Sequence, residues 1–117
     1  MSRIILSRHL DGEPRLIAGW DRPMRSAFVD LYDDEGEVMV TRGPMEGERL
    51  SPQDAVQAAV DLQGEGHDLG LDITAGLPST VLLGLLIDHS ELEFPESNRV
   101  VDLTTDAEWR TLLEAAR

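Results

Sequence analysis

Within residues 3–42, apolar runs and turn-forming clusters alternate at short intervals. The runs occupy residues 3–10, 15–20, 24–33 and 37–42. Between them stand Asp11, Gly12, Glu13 and Pro14, then Asp21, Arg22 and Pro23, then Asp34, Glu35 and Gly36. Asp-Gly supplies positive φ, and Pro cannot donate to a central ladder. Each cluster is too short for the dozen or so residues that a parallel crossover needs. The spacing therefore predicts an antiparallel meander of about four strands.

The second half reads as helical. Ser51 caps, Pro52 fits the first helical position, and Asp54 sits at the positive end of the helix dipole. Val56, Ala59, Val60 and Gln63 share a face at helical spacing, with Gly64 and Gly66 as the stop. Residues 67–74 alternate at Leu69, Leu71 and Ile73, which suits an edge strand or an apolar loop. Pro78 and Ser79 open a second helix over 80–89, apolar almost all round and hence buried. Residues 99–103 form a short strand candidate. Thr105 and Glu108 make a capping box, and Trp109, Leu112, Leu113 and Ala116 a core stripe for a last helix. No linker or repeat divides residues 1–117. The expectation is one α+β domain, with the meander covered on one face by about three helices.

Charge narrows the function more than the fold does. The net charge is −13 over 117 residues. Residues 1–50 hold seven Arg against ten acids, and residues 51–117 three Arg against thirteen. No Lys or Arg lies between Leu50 and Asn98. Direct binding to nucleic acid or to anionic lipid depends on cations meeting phosphate, so both are disfavoured. A basic protein partner is favoured, because a one-signed surface steers the opposite charge. The competing reading is that the acids only maintain solubility. Every basic residue is arginine, as GC-rich codon usage produces. The absence of cysteine excludes disulfides and thiolate metal sites and agrees with a cytoplasmic location. Ile4, Ile5 and Leu6 are too few for a secretion signal. Residues 81–87, interrupted by Gly84, fall short of the about 20 needed to span a bilayer.

Catalytic patterns are missing. His9, His67 and His89 lack a zinc spacing, though three elements could still bring them together on a metal. Ser79 is not in a nucleophile elbow. Gly64, Gly66 and Gly70 follow a helix rather than a strand, and Glu65 and Asp68 would repel phosphate. Asp33, Asp34, Glu35 and Glu37 lack EF-hand spacing and read as a solvated turn. No catalytic residue, metal or cofactor is assigned.

Along residues 24–33, Ala27, Val29 and Leu31 face one way and Ser26, Phe28, Asp30 and Tyr32 the other. The aliphatic set suits a helix-covered core. The mixed aromatic and acidic set suits an interaction surface, which Trp20 joins if register allows. The competing reading makes these ordinary sheet aromatics. The stretch Gly19-Trp20-Asp21-Arg22-Pro23, followed by a strand with Phe28 and then by a helix opening at Leu50-Ser51-Pro52-Gln53-Asp54, resembles small bacterial proteins of mobile-element neighbourhoods. The resemblance spans roughly residues 4–60. It brings no catalytic residues and implies a role in plasmid or phage biology.

The leading expectation is a non-enzymatic acidic protein that docks on a basic protein partner, a nucleic-acid-binding protein being one such partner. One form is an inhibitor that imitates a phosphate track, of the anti-CRISPR or anti-restriction type. Trp20, Phe28, Asp30 and Tyr32 are the sheet candidates for contact. Asp61, Glu65, Asp68 and Asp72 are the acidic ones. A homodimeric interaction module and a small metal-dependent enzyme using His, Asp and Glu are the alternatives.

Overall fold

A computed structural model describes residues 2–8, 13–70, 79–91 and 100–103. They form five strands and two α-helices: β1 (Arg3–Arg8), β2 (Pro14–Asp21), β3 (Ser26–Tyr32), β4 (Val38–Arg42), α1 (Pro52–Asp68), α2 (Ser79–Glu91) and β5 (Val100–Asp102). The strands make one sheet of order β4-β3-β2-β1-β5. The α+β class and the meander of β1 to β4 follow the sequence pattern. The turns at 21–25 and 33–37 hold adjacent strands antiparallel. The expected turn at Asp11 and Gly12 lies outside the described residues, as do the capping box and stripe of residues 105–116.

Three expectations are corrected. The sheet is mixed rather than purely antiparallel, because β5 pairs in parallel with β1, Arg3 opposite Val100 and Ile5 opposite Asp102. After β4 the chain crosses the sheet by way of the helices and returns at the far edge, a route long enough to allow parallel pairing. Second, α1 does not stop at Gly64 or Gly66 but runs on through His67 to Asp68, so no strand begins at His67. Gly70, at φ 76°, is the left-handed residue beyond its end. Third, the buried face of α1 is Ala55, Ala58, Ala59 and Leu62, with Val56 half-buried, whereas Val60 is exposed.

Both helices pack on the same sheet face. Ile4, Leu6, Leu16, Ala18, Ala27, Val29 and Leu31 meet the α1 stripe together with Leu82 and Leu86 of α2. Burying a side chain the size of Leu or Ile contributes about 1.5–3 kcal/mol, so this layer supplies most of the driving force. The small α1 residues let the helix lie close to the sheet. Ser51 caps α1: its hydroxyl accepts the Asp54 N–H at 3.1 Å, and the Asp54 carboxylate accepts the Ser51 N–H at 3.2 Å. Among the described residues no helix is long and apolar enough to cross a membrane.

Candidate protein-binding surface

The predicted contact residues divide between three places. Trp20 pairs with Ala27 across β2 and β3 and packs against the main core, so register sends it to the helix-covered side. It does not join Phe28, Asp30 and Tyr32, which share the opposite face. Asp61, Glu65 and Asp68 are exposed on α1. Asp72 lies outside the described residues.

The opposite sheet face is more closed than an open contact surface. Ile5, Ile17 and Phe28 form a second buried cluster, with Tyr32 packed against it. Phe28 is only 8% exposed, so little of its ring is left for a partner. The ring lies over Gly19, its cross-strand neighbour. A Cβ at Gly19 would come within 2.6 Å of the Phe28 Cζ and 2.1 Å of the Ser2 carbonyl oxygen. Asp30, half-buried beside this cluster, accepts the Thr41 hydroxyl at 2.5 Å. Burial pushes its pKa above the ordinary value, and the Thr41 hydrogen bond and the nearby Arg3 charge offset part of that.

Arg15, which the sequence reading passed over, is fully buried on β2. It donates to the Tyr32 carbonyl at 3.0 Å and to Asp34 Oδ1 at 2.7 Å, tying β2 to the start of the β3–β4 turn. The same turn is closed by Asp33, whose carboxylate accepts the Glu35 and Glu37 amides. These acids therefore serve the hairpin, and no cation is needed to hold the loop in shape.

The acids of α1 are organised differently. Asp54, Asp61, Glu65 and Asp68 are separated by seven, four and three residues, which places them on one stripe of the helix, and all four are exposed. Asp54, which the sequence places at the positive end of the helix dipole, also begins the row by its seven-residue offset from Asp61. At about 1.5 Å per residue the row is about 21 Å long. One DNA strand carries about six phosphates over that length, so the row has about two-thirds of that linear charge. Gln57 lies between and donates to Asp61 at 3.0 Å.

The row runs beside β4. Arg42, at the end of β4, makes a two-pronged ion pair with Glu48, Nε to Oε2 at 2.8 Å and the outer nitrogen to Oε1 at 3.2 Å. This bond raises the Arg42 pKa, Asp61 and Glu65 adding smaller attractions, and it lowers that of Glu48. Arg42 is thus paired chiefly with Glu48, and it offsets only a small part of the charge at Asp61 and Glu65.

Of the three histidines, His89 stands in the last turn of α2 and is buried in line with Leu82 and Leu86 on the inner side of the helix. His67 lies in α1, and His9 is outside the described residues. Among the described residues no three His, Asp or Glu side chains come together as a metal site would require. No protein-family model, no curated protein and no solved structure matches this chain.

Proposed function

We propose that this chain is a non-enzymatic acidic binding protein that docks on a basic protein partner, with the exposed α1 row as the principal contact. The observation that carries this reading is the alignment of Asp54, Asp61, Glu65 and Asp68 on one open stripe, in a half of the chain without Lys or Arg from Leu50 to Asn98. Acids that served only solubility would also lie on the exposed side of α1, but they would not need to fall within one narrow stripe of it. A line of charge at a density approaching that of a nucleic-acid strand suits a partner whose own surface is built for phosphate. An inhibitor of the phage or plasmid type, acting by charge mimicry, is the form of this function that the row favours.

The test is capture from a lysate of the source cells at about 0.1 M and about 0.5 M salt, a range over which the screening length shrinks from about 10 Å to a few Å. Wild type is compared with the triple variant Asp61→Asn, Glu65→Gln, Asp68→Asn. The expected result is a nucleic-acid-binding protein held by wild type at low salt, released at high salt, and not held by the variant. Equal capture by wild type and variant would remove the row from the function.

A further inference from the structure

The acidic row lies beside an unpaired sheet edge. β4 ends the sheet, and no described strand pairs with its outer side. The direction of its backbone groups follows from β3. The Ala27 N–H donates to the Leu50 carbonyl and the Asp33 N–H to the Glu37 carbonyl, each at 2.9 Å. The odd-numbered residues along β3 therefore bond toward the β4 side. Val29 and Leu31 pair with Arg42 and Val40. Antiparallel strands alternate their bonds between neighbours, so Thr41, between those two, turns its N–H and C=O outward. Natural sheets protect such edges with charged side chains, Pro, bulges or short strands. β4 is five residues long and has one charge, Arg42, at its end, but it contains no Lys or Pro, and its Val38 and Met39 are exposed at 50% and 39%. A register shift near Val38 is its one irregularity.

We propose that the β4 edge accepts an extended, arginine- or lysine-rich segment of the partner as a sixth strand, its alternate side chains reaching Asp61 and Glu65 on α1. The proposal rests on the acidic-binding reading above and gives it a geometry. Successive residues of an added strand face opposite sides of the sheet. One set points to the helix-covered side, where α1 carries its carboxylates beside Arg42. The other set points to the side of Asp30, Tyr32 and Val38. Main-chain hydrogen bonds to Thr41 would supply affinity, and the charges on one side would supply specificity, as in other strand additions. A second copy of this chain suits the edge less well. It would bring another net charge of −13 against the first, with Glu35 and Glu37 exposed at the near end of β4.

The probe is a fluorescein-labelled octapeptide of alternating arginine and valine, compared with the same peptide N-methylated at alternate amides. Methylation keeps the charge and removes the ladder donors. Fluorescence anisotropy at about 0.1 M salt should show the parent binding at least about threefold more tightly, the loss expected for the one backbone hydrogen bond that the Thr41 carbonyl would accept. Asp61→Asn with Glu65→Gln should weaken the parent by about threefold or more, as for two exposed ion pairs. Amide exchange at Thr41 should slow when the parent is bound. Equal binding of both peptides, with Thr41 exchange unchanged, would overturn strand addition while leaving the acidic-binding reading intact. Failure of the parent peptide to bind would also overturn the edge proposal, and the lysate capture would then decide the reading beneath it. A concentration-dependent dimer that protects Thr41 without peptide would assign the edge to a second copy and overturn the proposal.

Discussion

Asp30 shows how one side chain can be chemically placed and energetically disfavoured at once. Its carboxylate sits half-buried beside Ile17, its cross-strand partner, with the Thr41 hydroxyl as its hydrogen-bond donor. Burial raises its pKa from the ordinary 3.8. The folded state therefore holds this proton more tightly than the unfolded chain does. Its contribution to stability is full below pH 3.8 and is lost as pH rises through the raised value. Asp30→Asn keeps an oxygen for Thr41 and removes the charge. Urea unfolding from pH 3 to pH 7 should show the variant gaining on wild type as pH rises through that window, and the two running parallel above it. A difference independent of pH would mean that the carboxylate is not desolvated. The sequence placed Phe28, Asp30 and Tyr32 on one face correctly, because a strand alternates with period two. It could not say how buried that face is. Ile17 and the contact of Phe28 with Gly19 depend on cross-strand register, which no local pattern encodes.

Among the elements, α1 is where local signals misled most. Ser51, Pro52 and Asp54 marked its start well, since a cap is a short-range interaction. Gly64 and Gly66 read as its end, yet the helix passes through both, because burial of Ala55, Ala58, Ala59 and Leu62 outweighs a weak propensity. A Cβ at Gly64 would touch nothing within 4 Å, and its φ is not positive. Gly64→Ala should therefore stabilise the protein by about 0.5–1 kcal/mol, the usual gain in a helix interior. Gly36 is also surrounded by open space but has φ 80°. Gly36→Ala should destabilise, through backbone strain alone. Chemical unfolding of the two variants reads opposite signs. A loss at Gly64 would show that the helix is broken there. The pairing of β5 with β1 was illegible for a different reason: the two strands lie more than ninety residues apart, and a three-residue strand carries no mark of its partner.

On the scale of the whole molecule, charge sets the terms on which the fold and its surface coexist. A net charge of −13 repels itself, and the repulsion is strongest at low ionic strength. The α1 row concentrates that cost. Asp54 gains from the positive end of the helix dipole, but Glu65 and Asp68 stand near the negative end, where acids are unfavourable by a few tenths of a kcal/mol each. A row kept only for stability would not be built this way. Asp61→Asn, Glu65→Gln, Asp68→Asn should therefore raise the melting temperature at about 0.02 M salt, and the gain should shrink by about 0.5 M as screening removes the repulsion. The same variant is expected to lose its basic partner. Greater stability with lost binding is the signature of surface charge retained for function at a cost to the fold. If the variant instead melts lower at both salts, the three acids make contacts that hold α1 in place. The alignment of the row would then be a feature of folding, and the search for the working surface would move to the β4 edge alone.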